Sequence, residues 1–205
     1  MAEFVVVPDR MALLSIDLQN CFVEGSAPRG LEVLGRVNRL AVACRSAGIP
    51  VFHVRHALAL DDDFGVLGVL GEMFPGVEEM LDRDSVTAAL HPALVIDERD
   101  VLLEKPHFGA FHGTNLDQQL RARGIDTVVV AGIETNVCCE TTAREAMVRD
   151  FRVLFMSDGT TTGGVPGLSV EEVQTASLAT VGMFFAQVLT VDEMIDRITA
   201  TSTAR

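Results

Sequence analysis

Thr127-Val128-Val129-Val130-Ala131-Gly132-Ile133 is the most strongly apolar stretch of the chain, and the fold turns on how it is read. Its side chains do not alternate between apolar and polar, which is the pattern of a strand covered on both faces. Helices flank it: Asn115 to Arg123 before, ended by Gly124, and Val137 to Arg149 after. Further on, Arg152 to Asp158 reads as a strand, Val170 to Gly182 as a helix, Ala186 to Leu189 as a short strand and Val191 to Ala200 as a terminal helix. Toward the start, Ala12-Leu13-Leu14-Ser15-Ile16-Asp17 is a second short apolar run that ends in a polar cluster. Leu31 to Ala47 then places Val33, Leu34, Val37, Leu40 and Ala41 on one face of a helix closed by Gly48. Pro50 to Arg55 and Val101 to Lys105 are two more strands, the latter halted by Pro106.

Strand and helix alternate about six times, without period-two patterning or an internal repeat. The expected class is α/β: an open, mainly parallel sheet of about six strands with helices on both faces. A closed barrel needs eight such units, more than the chain provides. At 205 residues the length suits a single domain over 1–205, by the guide of about 150 residues per domain. Residues 57–80 show no clean period and read as an excursion near the active site, since long loops in such domains often cover one. A short helix is expected around Ser85 to Leu90.

With 16 Lys+Arg against 29 Asp+Glu the formal net charge is -13. That balance disfavours nucleic acid and anionic membrane surfaces as partners, because both are bound by neutralising phosphate with basic side chains. No targeting segment or membrane-length apolar run is present, and the four cysteines do not form a disulfide pattern. The expected location is the cytoplasm. A mean hydropathy of +0.31 without Tyr or Trp leads us to expect a homo-oligomer, a dimer or tetramer.

In an open parallel sheet the ligand lies beyond the carboxyl ends of the strands. Asp17 ends the first strand, His53 to His56 lie at the second, Lys105 ends the third, and Gly132 to Cys138 follow the fourth. Of the 16 basic residues only Lys105 is a lysine, which makes its place at that rim conspicuous. A carboxylate, an ammonium and a thiol converging there would form an activated nucleophile. The helix expected to begin near Val137 would lower the pKa of Cys138 through its positive end. Plainer roles compete: Asp17 as a cap or Asx-turn, Cys44 and Cys139 as inert packing, Cys21 facing the pocket or filling space. His53 and His56, three apart on a strand, face opposite sides and make an awkward metal grip. His107 and His112 could reach the pocket, and Arg55 or Arg29 could hold a substrate carboxylate. Asp158 to Gly164 reads as a loop at the same edge. No phosphate-binding glycine motif occurs.

Ser15-Ile16-Asp17-Leu18-Gln19-Asn20, Lys105-Pro106-His107-Phe108-Gly109-Ala110-Phe111 and Ala131-Gly132-Ile133-Glu134-Thr135-Asn136-Val137-Cys138-Cys139, with Thr141-Thr142-Ala143-Arg144, resemble the isochorismatase-like cysteine hydrolases, in the family's order over about residues 11 to 190. The resemblance implies a three-layer α/β/α sandwich, with Asp17 as general base, Lys105 as charge partner and Cys138 as nucleophile. It also implies a cis peptide at Ile133 to Glu134 and an oxyanion hole from the backbone N–H groups of Glu134 and Cys138. Cys21, Phe22, Arg55, His56, His107, Phe111 and Asn136 are the candidates for substrate contact. The nicotinamidase branch of the family binds a metal through positions that here are His56 and Leu58. A leucine cannot ligate, so neither metal nor cofactor is expected. The expected function is cleavage of a C–N bond in a small carboxamide, carbamoyl or ureido substrate through a thioester. Vinyl ether hydrolysis of the isochorismatase type, nicotinamidase-like amidase activity and a non-catalytic oligomeric scaffold are the alternatives.

Overall fold

The structure is a computed structural model that describes residues 3–58 and 68–203. Six strands, β1 (Met11–Ile16), β2 (Val51–His56), β3 (Val101–Lys105), β4 (Thr127–Ile133), β5 (Arg152–Thr161) and β6 (Gln187–Leu189), form one sheet. Their order is β3-β2-β1-β4-β5-β6, and every pairing is parallel. The helices are α1 (Gly30–Ser46), α2 (Gly68–Met73), α3 (Val77–Leu81), α4 (Leu116–Ala122), α5 (Glu140–Met147), α6 (Val170–Phe184) and α7 (Val191–Thr203).

The unbroken apolar runs have a direct cause in the layers. Met11 and Leu13 of β1, with Val129, Ala131 and Ile133 of β4, pack toward α1 and α7. Ala12, Leu14 and Ile16, with Val128 and Val130, pack among residues of α4, α5 and α6. Adjacent residues thus serve opposite cores, which removes any polar alternation and makes a three-layer α/β/α sandwich. Each fully buried Leu contributes about 1.5–3 kcal/mol, so the central strands anchor everything placed at their ends.

The strand order reverses at β1, whose neighbours are β2 and β4. Ile16 pairs with Val54 on one side and Gly132 on the other. The chain leaves β1 through Asp17 with a left-handed φ of 50°, a region where Asp is better tolerated than most residues. Gly132 has φ +132°, and a Cβ there would lie 2.0 Å from the Ile16 carbonyl oxygen. Only glycine lets β4 pass so close to the end of β1.

Two local expectations are corrected. Ser85 to Leu90 is a set of turns, because its carbonyls are already taken from the loop after β1. Cys21 N donates to Thr87 O, Asn20 N to Ala89 O, Asn20 Nδ2 to Val86 O and Gln19 Nε2 to Ala88 O, at 2.7–3.0 Å. Those oxygens are therefore occupied by partners outside the segment. Asp158 to Thr161 is strand, since β5 continues past a shift in register so that Thr160 and Thr161 pair with Gly132 and Ile133. The expected excursion at 57–80 contains α2 and the start of α3, and its residues 59–67 lie outside the described ones. Among the described residues no helix is long and apolar enough to cross a membrane.

Candidate active site

Parallel strands bring their carboxyl ends to one rim, and three side chains distant in sequence meet there. Asp17 and Lys105 are both 0% exposed, with Lys105 Nζ 2.9 Å from Asp17 Oδ2. The ammonium also donates to His107 O at 2.8 Å and Phe108 O at 2.9 Å. Two of its protons are thus placed on carbonyls, and the contact with Asp17 is an ion pair in which neither carboxylate oxygen has a well-aligned donor. Asp17 serves as no cap or Asx-turn here; its own N–H stays in the sheet, on Val54 O at 2.8 Å. Cys138 is close enough to both for its sulfur to interact with each.

Burial dominates the electrostatics. It raises the pKa of Asp17, an effect that the charge of Lys105 opposes and leaves incomplete. Burial pulls Lys105 the other way, but the charge of Asp17 leads the causes that overcome it and keep the ammonium protonated. Cys138 is 4% exposed, and burial raises its thiol despite Lys105. The expectation of a lowered thiol pKa is thereby corrected. Cys138 lies in the first turn of a helical stretch that begins as a π-helical turn, Thr135–Cys139, and runs directly into α5, and there desolvation outweighs the helix end. Burial thus favours the protonated thiol and leaves beside it a carboxylate that binds protons more readily than a surface one.

The turn is held from several sides. The peptide between Ile133 and Glu134 is cis. Glu134 O accepts from Val137 N at 3.3 Å and Cys139 N at 3.1 Å. Ser26 Oγ donates to Glu134 Oε1 at 2.7 Å, Thr162 Oγ1 to Asn136 Oδ1 at 2.6 Å, and Thr135 Oγ1 to Gln174 Oε1 at 2.7 Å. The loop carrying the two carbonyls bound by Lys105 is tied to α5, Ala110 N on Thr142 Oγ1 and Phe111 N on Glu145 Oε2.

A cavity of about 550 Å³ opens onto Cys138, with His56, Phe22, Glu134 and residues of α2 and α3 in its wall. Of the seven candidates for substrate contact, Phe22 and His56 line it. Cys21 lies beside it, packed with Phe22 against Leu70, Val77 and Leu81. Arg55 does not face it, since its guanidinium is engaged by the Glu104 carboxylate and the Arg83 carbonyl. Arg29 pairs with Glu32 at the surface. His107 is exposed and stacks edge-on with His112, and its contribution to the site is its backbone oxygen. Phe111 is core, against Phe151, and Asn136 is occupied by Thr162. Cys44 and Cys139 pack in the two cores.

Sequence reading missed Gln19, which is fully buried and spans the rim. Its amide donates to His56 O at 2.9 Å and accepts from His56 N at 2.8 Å, fixing the end of β2 against the loop after β1. It also missed the apolar wall from α2 and α3, where aperiodic sequence concealed two short helices. At the position matching the second metal ligand of the nicotinamidase branch, Leu58 has no donor side chain. Its backbone is engaged by Leu81 O and Arg83 N. The residues here do not fit that metal.

The model of the isochorismatase domain matches residues 11–193. The chain belongs to the isochorismatase family. Nicotinamidase 3 of Arabidopsis thaliana is 34% identical over 190 residues, covering 89% of this chain and 86% of that protein. Ureidoacrylate amidohydrolase RutB of Methylobacterium radiotolerans is 30% identical, covering 88% of this chain and 76% of that protein. The crystal structure of a cysteine hydrolase from Pseudomonas syringae pv. phaseolicola superposes with a TM-score of 0.92 at 32% identity, covering 97% of this chain and 96% of that one. As a member of this family the protein is a hydrolase, and its α/β/α sandwich agrees with the fold of these relatives.

Proposed function

We propose that the protein is a cysteine-dependent amidohydrolase that cleaves the C–N bond of a small amide through a thioester on Cys138. The observation that carries the reading is the buried Asp17–Lys105 ion pair beside a neutral thiol at the wall of a cavity. A carboxylate with a raised pKa is a better proton acceptor than a surface one. Relatives named for nicotinamidase and ureidoacrylate amidohydrolase activity support C–N cleavage.

In the first step Asp17 takes the Cys138 proton as the sulfur bonds to the carbonyl carbon and the carbonyl π electrons move to oxygen. The backbone N–H groups of Glu134 and Cys138 hold that oxyanion. Lys105 keeps Asp17 oriented and offsets negative charge as it develops. When the oxyanion collapses, the C–N bond breaks and nitrogen takes the proton from Asp17, leaving as ammonia or an amine. Asp17, again a carboxylate, then removes a proton from water as its oxygen attacks the thioester. Collapse returns the electrons to sulfur, which regains its proton, and the carboxylic acid departs.

Ammonia and pyruvate release, measured on carboxamide, carbamoyl, ureido and vinyl ether compounds, test the reading. Ammonia release that vanishes in Cys138→Ala is expected. Pyruvate release without ammonia, or activity retained in Cys138→Ala, would overturn it.

A further inference from the structure

The cavity in front of Cys138 has a mostly apolar wall among the described residues. Leu70, Met73, Phe74, Val77 and Met80 of the α2–α3 segment face it, and so do Phe22 and Phe108. The only wall side chains that carry nitrogen or oxygen, among the described residues, are His56 and Glu134. Neither offers a cation: burial and the charge of Lys105 push the His56 pKa down to about 3, and the Glu134 carboxyl already accepts from Ser26. Lys105 is no substitute, fully buried, paired with Asp17 and bound to His107 O and Phe108 O. Arg55 and Arg83 are both paired with Glu104. Residues 57–80 contain no Lys, Arg or His at all.

We propose that the substrate is a neutral amide with a bulky apolar acyl group seated against α2 and α3, and that amides carrying a carboxylate on the acyl chain are rejected. The proposal rests on the amidase reading and specifies its substrate class. An anionic substrate would set its carboxylate against hydrocarbon with no cationic partner among the described wall residues, an arrangement that proteins penalise. An apolar acyl group instead covers Met73 and Phe74, which are 66% and 49% exposed without it. Apolar burial acts on ground state and transition state alike, so it shows in KM more than in kcat.

Acetamide, butyramide and hexanamide, set against adipamate, separate the possibilities, since adipamate is hexanamide's length with a terminal carboxylate. Between acetamide and hexanamide kcat/KM should rise about fourfold per methylene, mostly through KM. Adipamate should fall about a hundredfold or more below hexanamide. Phe74→Lys, a change at a partly exposed position, should narrow that gap by about tenfold. Binding of the same compounds to Cys138→Ser, followed by ligand-observed NMR, reads the pocket without turnover. A flat series, or adipamate equal to hexanamide in both measurements, overturns the proposal. Binding preference for hexanamide with no ammonia from any amide would overturn the amidase reading and leave the apolar preference of the pocket standing.

Discussion

Replacing Asp17 by Asn removes a charge from a pair that solvent does not reach. Lys105 would keep its two carbonyl partners but lose the anion 2.9 Å away, leaving a full positive charge 0% exposed. Breaking a buried pair by removing one partner costs about 3–5 kcal/mol. For a chain of this size that corresponds to a fall in Tm of about 6–20 °C. The Asn carbonyl can still accept from the ammonium, which places the expectation near the lower end. Lys105→Met strands the carboxylate instead and should cost a similar amount. The double variant carries neither charge, so its stability should return to within about 1–2 kcal/mol of the original, because a neutral pair of similar volume replaces an ion pair. Activity should follow another pattern. All three variants should lose about a hundredfold to ten-thousandfold in kcat, since the proton acceptor or the group that orients it is gone. Thermal and urea unfolding followed by circular dichroism, with ammonia release on the same samples, read both quantities. A double variant that loses the sum of the two single losses would refute the claim that these charges are a unit.

Two further outcomes follow from the geometry. Gly132→Ala should destabilise by about 2–4 kcal/mol, because its Cβ would meet the Ile16 carbonyl oxygen and the backbone φ there is positive; unfolding in urea checks it, and a change under 0.5 kcal/mol would mean that β1 and β4 separate easily at the rim. His56, with a folded pKa of about 3 against an ordinary 6.5, takes up a proton in the unfolded chain before it does in the folded one. Its contribution is present above about pH 6.5 and is lost as pH falls toward 3, by at most about 1.4 kcal/mol per pH unit. Comparing unfolding of the parent with that of His56→Asn across this window isolates the effect, and identical slopes would contradict it.

The central strands were legible because each must face two cores, and a run such as Val128-Val129-Val130 has no other simple use. Asp17, Lys105 and Cys138 were legible because parallel strands leave their last residues at one rim, and a single lysine among fifteen arginines draws attention there. What the sequence hid was non-local. Nothing in Ser85 to Leu90 shows that its carbonyls are taken by Gln19, Asn20 and Cys21. Likewise, the pull of a helix end on Cys138 can be anticipated from spacing, whereas the burial that overrides it depends on elements packed from elsewhere in the chain. Arg55 stands at a strand end as expected, yet its engagement depends on Glu104, its register partner in β3.

The central claim is a covalent bond between substrate carbonyl and the Cys138 sulfur. Acid quenching during turnover of an amide, followed by intact-mass measurement and peptide mapping, looks for it directly. An added acyl group on the peptide that contains Cys138, absent in Cys138→Ala and lost on further incubation, is the expected result. Continued turnover with no adduct on any cysteine, undiminished in Cys138→Ala, would contradict the account.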